Sequence, residues 1–154
     1  MSSKRGFHIV MSKLMKRYQI DTEKAAENGH DVYIITLEDE TQILLLGNQQ
    51  DYLNIMSPVA SLAPDISVRP NILLSLLSMN MWNTKHPVFN IGLDINKMQV
   101  VLSCRQALAE LDEIEAYKLV GIFIDTASKL KNWLLKQIEV GRKADSVSDA
   151  ETQA

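Results

Sequence analysis

Apolar positions along the chain fall into segments of two periods. Phe7, Val10, Met11, Leu14 and Tyr18 recur at steps of three and four with Lys13, Lys16 and Arg17 between them, which predicts an amphipathic helix over residues 6–19. "DVYIITLE" and "TQILLLG" flank the polar pair Asp39 and Glu40 and predict a β-hairpin. A third strand follows in "YLNIMSPVASL", which Pro58 must bend or hold at an edge. After a loop bracketed by Pro64 and Pro70 comes "NILLSLLSMNMW", residues 71–82, a helix with no wide polar arc at about 100° per residue. "HPVFNIGLDI" and "KMQVVLSCR" predict a second hairpin turning at residues 94–97, and a long helix over residues 112–140 carries the stripe Ala116, Val120, Phe123, Ala127, Leu130, Leu134 and Ile138.

The order α-β-β-β-α-β-β-α defines an α+β domain, a twisted, mainly antiparallel sheet with helices packed on it. Asp112 is placed to cap the last helix, Glu113 and Glu115 suit its first turn, and Gly141 suits its end. The division expected is a folded domain over residues 1–141 and a disordered polar tail over residues 142–154, where no periodicity remains.

The two hairpins differ. In the second, Phe89, Ile91, Leu93 and Ile95 alternate with Asn90, Gly92 and Asp94, as in a sheet wet on one face. In the first, Ile35, Ile43 and Leu45 alternate with Ile34, Leu44 and Leu46, so both faces are apolar. Either the first and last helices cover the second face or a docked partner does. The middle helix poses the same question, because two other helices leave little to cover its far side. A second copy of the chain is the economical cover, through a twofold contact of Ile72, Leu73, Leu76, Leu77, Met79, Met81 and Trp82; full burial within one copy is the alternative.

Composition narrows the function classes. With 154 residues and 46% hydrophobic content the chain suits one domain of ordinary size. A single cysteine excludes an intramolecular disulfide framework and any multi-cysteine zinc site, and points to a reducing, cytoplasmic setting. Sixteen basic against 19 acidic residues give no field for nucleic acid. The basic start "MSSKRG" runs into "FHIVMSKLMKRY", whose charges interrupt any signal-peptide core, and no apolar run approaches the about 20 residues of a membrane span.

Catalytic signals are weak. His8, His30 and His86 stand at no ligand spacing, and no phosphate-binding glycine loop is present. "LEDET" coincides with a hairpin tip and "LDEIE" with a helix cap. Cys104 alternates with Val100 and Leu102 toward the core, the position of a structural thiol rather than a nucleophile. Trp82 and Trp133 suit either an interface or the core. No enzyme, no metal and no cofactor is expected.

The element order, together with "WNTKHPVFNIGLDINKMQVVLSCRQALAELDEIEAYKLVGIFIDTASKLKNWL", resembles the small, acidic class I chaperones of bacterial type III secretion, the Tir-chaperone type, over roughly residues 6–138. The strand "PVFNIGLD", the strand ending in "LSCR" and the "LxxLD" opening of the last helix carry the likeness; Pro58 and the polar tail depart from it. The resemblance implies a cytoplasmic homodimer joined through its middle helix, which binds the N-terminal region of a secreted effector in an extended state and uses no nucleotide. The export ATPase is a further partner it allows. Effector contacts are expected on the first helix and first hairpin at Val10, Met11, Leu14, Ile34, Leu44 and Leu46, with Met15 as a further repacking methionine or ordinary core. An adaptor on the same fold, acting on the export apparatus, its ATPase or a regulator, is the alternative.

Overall fold

The computed structural model describes residues 2–19, 32–47, 51–62, 70–83 and 85–153. Its elements keep the expected order: α1 (Ser2–Arg17), β1 (Val32–Thr36), β2 (Gln42–Leu46), β3 (Tyr52–Ser61), α2 (Pro70–Trp82), β4 (Phe89–Asp94), β5 (Gln99–Ala107), a 3-10 turn (Leu108–Glu110) and α3 (Glu113–Gln153). The five strands pair antiparallel in the order β1-β2-β3-β5-β4, so β1 and β4 are the edges. Alternation then sorts the side chains. Tyr33, Ile35, Ile43, Leu45, Leu53, Ile55, Leu102 and Cys104 share the face that α1 and α3 cover.

Phe7, Met11, Leu14 and Met15 line the buried side of α1, each burial stabilising the fold by about 1.5–3 kcal/mol. Phe7 meets Tyr33 edge to face, and a Cβ at Gly47 would lie 2.5 Å from the Phe7 ring, so glycine is what lets α1 approach the end of β2. Farther along the core, Phe123 of α3 meets Phe89 of β4 at near right angles. The end of α1 is tied to the start of α3 by Arg17, whose Nε donates to Glu113 Oε1 at 2.9 Å and whose guanidinium lies 5.1 Å from the Tyr117 ring. Asp112 is the expected cap, its Oδ1 accepting from the Glu115 N–H at 2.8 Å.

Pro58 lies within the interior strand β3, beyond the residues that pair with β2, and the register with β5 shifts between Pro58 and Ala60. A proline nitrogen cannot donate to the neighbouring strand. The buried Ser57 hydroxyl does so instead, to the Gln42 carbonyl at 2.9 Å.

The end of the chain departs from expectation. The helix does not stop at Gly141 but continues to Gln153, so residues 142–153 are helical rather than an irregular tail. Nothing after Gly141 breaks a helix: the segment lacks proline and further glycine, and Lys143 reaches back to Glu139 across the glycine at 3.1 Å. The extension still leaves its apolar side chains outside, with Val140 62% and Val147 58% exposed.

Candidate functional site

Strand parity decides which side chains the sheet leaves uncovered. Among the described residues α1 and α3 pack on one face, so neither covers the second apolar face of the first hairpin. Across that open face the register aligns Ile34, Leu44, Met56, Ser103 and Asn90 in one row. Leu46 lies beside Val32 on one side and Asn54 on the other. Ile34 is 47% and Met56 37% exposed. The face therefore grades from apolar at β1 and β2 to polar at β5 and β4. A concavity of about 260 Å³ lined by Leu46, Asn54, Met56, Asn90, Ser103 and Arg105 marks the boundary. Arg105 stacks on Tyr52 with 3.8 Å to the ring centroid, which holds a planar cation at the rim.

An extended peptide laid on such a surface would lose water from its apolar side chains against the row, with Asn54, Ser103 and Asn90 offering polar groups beside it.

The expected contact residues separate into two groups. Ile34, Leu44 and Leu46 come together on the open face. Met11 and Leu14 are fully buried between α1 and the sheet, as is Met15, and Val10 is half-buried against the same core. The correction has a simple cause: Phe7, Met11 and Leu14 form the inward stripe of an amphipathic helix, and the sheet claims that stripe. Met56 and Val32 join the open-face group, beside Leu44 and Leu46. Their signal was the alternation in "YLNIMS" and "DVYIIT", which fixes parity but not the face.

α2 divides likewise. Ile72 and Leu76 are buried within the monomer, and Leu73 and Met79 are half-buried on the core. Leu74, Leu77, Met81 and Trp82 form an outward stripe, between 63% and 74% exposed. Four of the seven residues assigned to a dimer contact are thus turned inward or nearly so. Asn80 and Asn83 dock the helix on β4. The Asn80 amide donates to the Ile91 carbonyl and accepts from the Ile91 N–H, both at 2.7 Å, and Asn83 donates to the Phe89 carbonyl at 2.6 Å. These bonds set the rotation of a helix with no polar stripe of its own. Beside its end a groove of about 530 Å³ opens between Met79, Phe89, Ile91, Leu130 and Trp133.

Other chemistry is sparse. Burial pushes the Cys104 thiol up to about 11, which keeps it protonated and unreactive at neutral pH. Among the described residues no three His, Cys, Asp or Glu side chains are grouped to hold a metal, and no helix is long and apolar enough to cross a membrane.

A five-stranded antiparallel sheet with helices packed on one face, an apolar strip on the other and an apolar helix flank defines an α+β domain. The chain belongs to the Tir chaperone protein (CesT) family, whose model matches residues 10–131. No curated protein matches the sequence. Among the solved structures that share the fold are chains of two complexes. The Yersinia pestis type III secretion chaperone SycH, in complex with a stable fragment of YscM2, is 12% identical with a TM-score of 0.60, over 80% of this chain and 98% of the other. A chain of the ExoT–SpcS complex from Pseudomonas aeruginosa is 14% identical with a TM-score of 0.55, over 84% and 98%.

Proposed function

We propose that this protein is a cytoplasmic type III secretion chaperone that holds the N-terminal segment of a secreted effector extended, soluble and competent for export. The observation that carries the reading is the open sheet face: in a chain of this family, Ile34 and Met56 stay exposed and Leu44 and Leu46 half-buried beside them, while helices pack on the other face. SycH, which shares the fold, is itself a type III secretion chaperone bound to a protein fragment. The mechanism is physical rather than chemical. Apolar side chains of the cargo dock on the strip, and its backbone stays unfolded because the chaperone supplies the contacts a folded core would otherwise make. The chain works as a homodimer through the outward stripe Leu74, Leu77, Met81 and Trp82, and neither nucleotide nor metal takes part.

Co-purification of the full chain from its native host tests this. Recovery of a secreted protein bound through its N-terminal segment, in EDTA and without nucleotide, is the expected result. Recovery of an export-apparatus component alone, such as the ATPase, would replace the chaperone reading with that of an adaptor.

A further inference from the structure

Edge strands carry unpaired N–H and C=O groups that template the addition of another strand. In an antiparallel pair each residue of an edge strand turns both groups either toward its neighbour or away. The Ile91 N–H and C=O both bond to Asn80, so Ile91 is an outward residue of β4, and by parity so are Phe89 and Leu93. Asn83 on the Phe89 carbonyl agrees with that parity. The middle of the β4 edge is therefore occupied by side-chain amides that copy the pattern of a neighbouring strand.

We propose that Asn80 and Asn83 form a lock that closes the β4 edge to strand addition, so that an extended polypeptide, whether cargo or a second copy of this chain, cannot pair there. The lock is specific in its chemistry. The Asn80 amide supplies one donor and one acceptor, as a strand residue would, whereas leucine in its place would keep α2 apolar and leave both Ile91 groups unpaired. The position is also where a lock is needed, because Leu93 near the end of β4 and Ile95 in the turn after it are 41% and 75% exposed and would favour an added apolar strand. This inference goes beyond the chaperone reading and holds whether or not cargo binds the open face.

The test is Asn80→Leu in the full chain, read by amide hydrogen exchange and by light scattering over a concentration series. The Ile91 amide should exchange about tenfold faster, the scale of one lost hydrogen bond, and species larger than the wild-type assembly should grow with concentration. Adding Leu93→Pro should abolish that growth, since the Leu93 N–H points outward and its loss removes a docking donor without breaking the ladder to β5. Unchanged Ile91 exchange, absence of growth, or growth that survives Leu93→Pro would each overturn the proposal. Asn80→Ser, polar but too short to span to Ile91, gives the same readouts if the leucine variant does not fold. Failure of both to fold would also overturn it, by making the amide a requirement of folding.

Discussion

Helices α1 and α2 both set apolar side chains on the same sheet, yet they present opposite outer surfaces. On α1, Lys13, Lys16 and Arg17 are exposed while Phe7, Met11, Leu14 and Met15 are buried. On α2, no residue from Asn71 to Trp82 is charged, and Leu74, Leu77, Met81 and Trp82 remain outside. Apolar content alone therefore does not tell which helix a partner can use. What matters is the apolar surface left after the sheet has taken its share, and α1 has little to spare.

Substitutions at two methionines, Met11 on α1 and Met56 on the open sheet face, test how much apolar surface is spare. Met11→Glu would put a carboxylate into a fully buried site with no partner, a cost of at least several kcal/mol, enough to unfold a domain of ordinary stability. Met56→Glu, on the open face, should keep the circular dichroism spectrum and the melting temperature within a few degrees. It should nonetheless weaken binding of an effector segment, because a carboxylate facing an apolar side chain is desolvated without compensation. A folded Met11→Glu variant would show that α1 is not core. Wild-type affinity in a folded Met56→Glu variant would remove the open face as the cargo surface.

The α2 stripe yields the next largest effect. Leu77→Glu places a charge on a residue 66% exposed in the monomer, so the fold should survive while the assembly dissociates to monomers in light scattering. Leu76→Glu, one residue earlier but 6% exposed, should instead unfold the chain. Wild type that is monomeric at micromolar concentration would end the dimer reading.

Element order was legible because periods of two and of 3.6 residues are unmistakable in strands such as "QVVLSCR" and in the stripe from Ala116 to Leu134. The open-face residues Ile34, Leu44 and Leu46 were legible as a set, since parity separates them from Ile35, Ile43 and Leu45. Parity is silent on which set meets the helices, just as the stripe of Met11 and Leu14 does not itself say whether the sheet or a cargo takes it. In α2 the periodicity that would mark an outer face is missing. The information lies in Asn80 and Asn83, two amides three residues apart whose meaning appears only once β4 is beside them. A single glycine at 141 suits a helix stop, yet Glu139 and Lys143 are spaced to pair across it, and the helix runs on.

That extension supplies a smaller test. Deleting residues 142–154 should lower the helical signal in circular dichroism and leave the melting temperature nearly unchanged, because Val147 is 58% exposed and Arg142, Lys143 and Ala144 are exposed as well. A drop of many degrees would show that the helix end is packed in the assembly.

The smallest effect concerns the tip of the first hairpin, the polar end of the region that carries the open face. Lys131 of α3 donates from Nζ to Asp39 Oδ2 at 2.9 Å and to Thr41 Oγ1 at 2.8 Å, clipping the turn to the helix. The hydrogen bond from Lys131, followed by those from the Thr41 hydroxyl and N–H, lowers the Asp39 carboxyl from 3.8 to about 2. A carboxylate whose folded value is depressed contributes stability that is fully present above its unfolded value of 3.8 and is lost as the pH falls through about 2. The clip should therefore hold through the mildly acidic range and release only in strong acid, followed by the chemical shifts of Asp39 and Thr41. Lys131→Met removes the leading cause, so the Asp39 transition should move up toward 3.8 and the tip should loosen at correspondingly higher pH. Asp39 is open to solvent, which screens the pair, so the melting temperature at neutral pH should hardly change. An Asp39 transition that stays where it is in the Lys131→Met variant would show that the Thr41 turn alone holds the carboxylate, and that the hairpin tip is independent of α3.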